Sequence, residues 1–131
     1  MAVTIAFDGS LLLITASGTL ADADLELIGD EVLAIEDGGT NTPNRLTDLR
    51  QVTDTAVGYR EMARLVDRGR TRPLHATLRS ALLIDQPVQL GYARMFQILN
   101  DHPRVTVRIF EDEASAREWL ATGDLEDAGR R

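Results

Sequence analysis

The stretch that decides the fold is residues 74–99, LHATLRSALLIDQPVQLGYARMFQIL, because its hydrophobic period changes half-way along. The first part, through Ile84, ends in the apolar run SALLI and reads as a strand, central in a sheet. In the second part Val88, Tyr92, Met95, Phe96 and Leu99 recur at helical spacing and form one stripe. Asp85 stands where a helix cap is expected, and Pro87 falls in the first turn, where its missing amide costs little. HPR at 102–104 breaks that helix, and VTVRI at 105–109 alternates as a strand does. Strands separated by a helix pair in parallel, through a right-handed crossover.

The same grammar extends in both directions. VTIAF (3–7), DGS (8–10) and LLLITASG (11–18) read as a β-hairpin with a tight Asp8-Gly9 turn, and Gly18 is expected to end the second strand. Leu25, Ile28, Val32 and Ile35 mark a helix that opens with Asp22 and Asp24 and stops at Gly38-Gly39, before the loop GGTNTPN. RLTDL (45–49) is a short strand reaching toward Val52. TAVGYREMARLVDR (55–68) is a second helix, with Tyr59, Met62 and Val66 on one face, Leu65 beside them, and Gly69 as terminator. Asp112 caps a last helix that carries Ala116, Trp119 and Leu120 and ends at Gly123. The expected order is ββαβαβαβα. That is a single α/β domain over 1–122, with a mostly parallel five-stranded sheet, an antiparallel hairpin edge and a polar tail over 123–131.

Composition narrows the function. The 131 residues carry a formal charge of −7, unevenly spread: net −7 over 1–50, +4 over 51–110 and −4 over 111–131. An acidic chain argues against dedicated nucleic-acid binding, although its middle can attract anions. With no cysteine, disulfides and thiolate chemistry are excluded. All fourteen basic residues are arginine, which removes a Walker A loop and a Schiff-base lysine. No apolar run reaches transmembrane length and no signal peptide is evident, so the expected location is cytoplasmic.

Few residues invite chemistry. His75 and His102 lack metal-site spacing, and no GxSxG elbow occurs. Neither a metal nor a cofactor is expected. Asp48 and Asp54, near the end of one strand, admit a magnesium or acid–base reading. The plainer reading has Asp54 or Thr55 cap the second helix while Asp48 bonds turn amides. Arg60, Arg64 and Arg68 read as a solvated face. Arg94, beside the apolar stripe, is expected to pair with Asp85 or with the acidic last helix, with anion binding at the strand ends as the alternative. The stripe of Tyr92, Met95 and Phe96 is read as core, with a ligand pocket as the alternative.

The segments QLGYARMFQIL (89–99), VTVRIFEDEASAREWL (105–120) and, more weakly, GTLADADL (18–25) resemble the SpoIIAA-like (STAS/SEC14-type) family of small bacterial proteins. The likeness runs over roughly residues 10–121, with Ala21 where the family commonly has threonine. It implies a SpoIIAA-like β–α superhelix and kinship with anti-sigma factor antagonists, in which an Asp-Ser-Ser-Gly turn carries a phosphorylated serine. Here Asp54 and Thr55 match the first Asp-Ser, Ala56 stands at the phosphoacceptor position, and Val57 replaces the glycine, which leaves Thr55 as the substitute acceptor. The resemblance therefore implies a non-catalytic regulatory or protein-interaction domain, with Asp48, Arg50, Asp54, Thr55 and Tyr59 facing a protein partner. The SEC14-type alternative is a small apolar-ligand or lipid carrier using Tyr92, Arg94, Met95 and Phe96. A homodimer through the N-terminal edge strand is a further expectation.

Overall fold

The computed structural model describes residues 2–38, 43–70, 77–100 and 102–122. Nine elements follow one another: β1 (Ala2–Asp8), β2 (Leu11–Ala21), α1 (Asp22–Gly38), β3 (Arg45–Ala56), α2 (Tyr59–Arg70), β4 (Leu78–Leu83), α3 (Pro87–Leu99), β5 (Val105–Phe110) and α4 (Glu113–Thr122). The strands lie side by side in chain order. β1 pairs antiparallel with β2, and all later pairs are parallel. The expected α/β architecture with its hairpin edge is therefore the observed one, and the sheet is mixed. Gly9, at φ +64°, supplies the left-handed turn residue that closes the hairpin.

Alternation along the strands sends side chains to two cores. On one face Ala16, Leu82 and Val107 meet Leu25 of α1, Met62 of α2 and Tyr92 of α3. On the other, Leu46, Ala81 and Leu83 meet Ala116, Trp119 and Leu120 of α4 alone. Trp119 is 2% exposed, tilts against Phe110 at 5.5 Å and lies under the Arg108 guanidinium at 5.9 Å. Truncating so large a buried ring costs about 3–5 kcal/mol. Asn44, just before β3, ties three elements together. Its carbonyl oxygen accepts the Leu12 amide at 2.9 Å, its side-chain oxygen accepts the Arg79 amide at 2.8 Å, and its side-chain amide donates to Leu120 at 3.0 Å.

Several boundaries differ from the sequence expectation. Gly18 does not end β2. Its positive φ of +77° sits beside a register shift, and pairing with β3 resumes as far as Ala21↔Ala56. β3 is correspondingly longer than RLTDL, and α2 starts at Tyr59 rather than 55. Asp54 and Thr55 therefore lie in a strand and do not cap α2. The first intrahelical acceptor is the Gly58 carbonyl, and the Gly58 amide donates to Asp22 Oδ1 at 3.2 Å. α2 also continues through Gly69 to Arg70. Asp24 closes the start of α1 by accepting the Ala21 amide at 2.8 Å. Asp112 caps α4 as expected, accepting the Ser115 amide at 2.9 Å and hydroxyl at 2.6 Å. Gly39, His75 and the tail lie outside the described residues.

The cap of α3 is Gln86, not Asp85. The partner that fixes this helix start is Gln89, 1% exposed. Its side-chain oxygen accepts the amides of Asp85 at 2.7 Å and Gln86 at 3.1 Å. Its NH2 group donates to the carbonyls of Val52 at 2.8 Å and Arg50 at 3.2 Å. β4 stops pairing with β3 at Leu83↔Asp48. The Gln89 side chain thus takes up carbonyls on the part of β3 that runs beyond its neighbour.

Candidate functional site

Asp48 and Arg50 alternate on β3 and meet in a two-pronged ion pair. Arg50 Nε donates to Asp48 Oδ1 at 3.0 Å and Nη2 donates to Oδ2 at 2.9 Å. Nη2 also donates to Glu113 Oε1 at 2.9 Å. Glu113 opens α4, where a negative charge suits the helix N-terminus. One turn on, Arg117 donates Nε to Glu113 Oε2 at 2.8 Å and Nη1 to Asp8 Oδ2 at 3.0 Å. The chain of alternating charge joins the hairpin, β3 and α4. Burial raises the Asp48 carboxyl, but its hydrogen bonds to Arg50 more than offset this and hold it below the ordinary value. Glu113 is lowered chiefly by Arg117, with Arg50 assisting. Both arginines are pushed up, Arg50 mainly by Asp48 and Arg117 mainly by Glu113.

The other expected partner-facing residues stand apart from this chain. Asp54 is exposed on the β3 overhang, and its Oδ1 accepts the Thr55 amide at 2.8 Å. Thr55 is half-buried near the end of the strand, so the helix terminus expected to favour a phosphate is not adjacent to it. Tyr59 opens α2 and is 66% exposed, which removes it from the apolar face it was expected to share with Met62. Arg60 is also exposed, and Arg64 pairs with Glu61 at 3.5 Å.

The magnesium or acid–base reading does not find its geometry. Asp48 is engaged with Arg50 on the α4 side, while Arg94 is exposed on α3, which packs on the opposite face. Among the described residues Arg94 makes no ion pair with Asp85 or α4, so that expectation is corrected. No group of three or more His, Asp or Glu among the described residues is placed to hold a metal ion. No described helix is long and apolar enough to cross a membrane.

The expected ligand stripe divides. Tyr92 is buried in the core, and burial pushes its hydroxyl well above the usual range. Met95 packs half-buried against the same core. Phe96 packs against that core too, and it also lines a partly open cavity of about 110 Å³, between the sheet and α1, α2 and α3. Ile28, Val32 and Leu65 form its helical walls. Its sheet floor carries Arg45, Thr47 and Ser80, which are 8%, 8% and 4% exposed. Arg45 Nη2 donates to the Pro43 carbonyl at 3.2 Å. Sequence reasoning missed these three and Gln89. The available signal was polar residues at inward positions of apolar strands, Arg45 and Thr47 before Leu49, and Ser80 between Leu78 and Leu82.

No family model matches the chain, and no curated protein does. Among solved structures, a Shewanella loihica PV-4 protein of the DUF3478 family, with a SpoIIAA-like fold, superposes with a TM-score of 0.61 at 20% identity. The match covers 91% of this chain and 92% of that one. The structure of Mglu, at 14% identity, 84% of this chain and 19% of that one, has a TM-score of 0.41, too low to carry an argument. With its hairpin edge, parallel βα units and superposition over 91% of its length on that structure, this chain has the SpoIIAA-like fold.

Proposed function

We propose that the chain is a non-catalytic regulatory or protein-interaction domain of the STAS-like type, presenting the β3 overhang and the start of α2 to a protein partner. The observation that carries this reading is the overhang itself. β3 runs on to Ala56 after its last pairing with β4 at Asp48, and exposes Thr53, Asp54 and, past the turn, Tyr59. Aromatic residues beside polar groups are favoured at interfaces. The separation of Asp48, Asp54 and Arg94 supports the non-catalytic part. Thr55 is the candidate phosphoacceptor. The edge strand β1 is the surface through which a second copy would pair, and sedimentation at two concentrations tests that. A photo-crosslinker at Tyr59 should trap a discrete protein in the host cell, and Asp54→Arg should abolish the adduct. If no adduct forms from either Tyr59 or Thr53, the reading falls.

A second reading, a small apolar-ligand protein, is favoured by the cavity over Phe96. Its residues are not those expected from sequence, apart from Phe96. Native mass spectrometry of gently purified protein tests it.

A further inference from the structure

We infer that β1 is one half of a symmetric strand pair, in which a second copy of this chain adds its own β1 antiparallel, with the two-fold axis at Ile5. This rests on the edge-pairing reading above and fixes its register and its axis. The backbone carries it first. β1 is an outermost strand, with β2 on its one occupied side. The hairpin loop has two residues and closes on Asp8↔Leu11. The closing pair of such a loop exchanges both of its backbone hydrogen bonds. The register runs from there to Ala2↔Ser17 without a shift, so Ala6, Thr4 and Ala2 are bonded to β2 in turn. Val3, Ile5 and Phe7 therefore turn their N–H and C=O groups to the open side.

That outward set is symmetric about Ile5. A two-fold axis there, normal to the sheet, sets Ile5 against Ile5 of the second copy and Val3 against Phe7 of the second copy. Both are hydrogen-bonded pairs, so every outward amide of the set meets a carbonyl and none is left over. Moving the register by two residues leaves Val3 or Phe7 outside the bonded set. Thr4 falls opposite Ala6 of the second copy as a non-bonded pair.

Side chains and charge favour the same edge. From Ala2 to Phe7 the strand has neither charge nor proline, and its ladder has no bulge, so it lacks the features that keep an edge from pairing. In a chain of net charge −7, two copies can meet there with no like charges opposed. Asp8, at the strand's end, is held by Arg117 at 3.0 Å. The opposite edge, β5, carries Arg108 in mid-strand. Val3 and Ile5 pack on the helical side, and alternation puts Phe7 on that side too, where it is 55% exposed. In the pair this ring lies across from Val3 of the second copy, an aromatic–β-branched contact that stabilises sheets.

The absence of native cysteine makes introduced ones clean probes. Thr4→Cys and Ala6→Cys both fall at exposed positions. Mixed and mildly oxidised, the two variants should form a disulfide with each other, because non-bonded antiparallel partners stand about 4.5 Å apart at Cα. Neither should cross-link alone, since its own copy lies diagonally at about 7–8 Å. Sedimentation of the unsubstituted chain should show dimer at about 100 μM, and Phe7→Lys should raise the dissociation constant about tenfold or more. If Phe7→Lys disrupts the dimer but the mixture fails to cross-link, or one variant cross-links alone equally well, the Ile5 axis is refuted while the edge reading stands. A monomer at that concentration, or a dimer indifferent to Phe7→Lys, removes both.

Discussion

Gln89 and the pair Thr47–Ser80 are buried to similar degrees, at 1% against 8% and 4% exposure, yet their surroundings are opposite. The Gln89 amide accepts two backbone N–H groups and donates to two carbonyls, which fills its capacity. The two hydroxyls have no partner among the described residues. One end of β3 therefore has its polar groups closed by the fold, while the other holds polar groups that face a cavity. The difference separates polar groups closed within the fold from polar groups on a cavity wall, which residue burial alone does not do.

The largest expected effect tests the closed end. Gln89→Leu leaves four backbone groups without this partner and should lower urea-unfolding stability by about 3 kcal/mol, with faster amide exchange around Val52. A neutral result would erase the contrast with Thr47 and Ser80. Next is the charge chain that anchors α4. The Asp48 and Glu113 carboxyls sit below their ordinary values of 3.8 and 4.5 in the folded protein. The unfolded chain therefore binds protons first on acidification. Their stabilisation is whole above about pH 5 and is lost as pH falls through the lower folded-state values. Glu113→Gln should cost up to about 1 kcal/mol at pH 7 and flatten the melting-temperature profile between about pH 5 and 3. An unchanged profile would mean the chain does not anchor α4.

Smaller still is the open end. Thr47→Val with Ser80→Ala removes no internal hydrogen bond among the described residues and should change stability by no more than about 0.5 kcal/mol. A loss near that of Gln89→Leu would show that these hydroxyls serve the fold after all. Asp54→Asn or Tyr59→Ala should sit within about 0.5 kcal/mol of wild type in the same unfolding assay, because both are exposed. A larger loss would make the overhang structural and remove it as a partner surface.

The strand and helix periods made the architecture legible, since Val88 to Leu99 and Val105 to Ile109 keep their own spacing in the fold. The end of β3 misled because Asp54 and Thr55 are cap-forming types, while the acceptor at α2 is Asp22, remote in sequence and brought there by the β2–β3 pairing. Gln89 was readable in principle, as the third residue of a helix opened by Pro87. The cavity was not readable from the α3 stripe, since periodicity says which side chains face inward and not whether they meet. The expected ligand residues accordingly lie in the core, apart from the exposed Arg94, and Phe96 alone among them also reaches the cavity wall.

The chain-order sheet has a consequence for synthesis. Each strand docks on one already made, so no strand waits for a later one and vectorial assembly on the ribosome meets few topological detours. The exception is the far side of the sheet. Leu46, Ala81 and Leu83 gain their cover when α4 emerges, so the nascent chain carries a sticky surface until its last helix arrives.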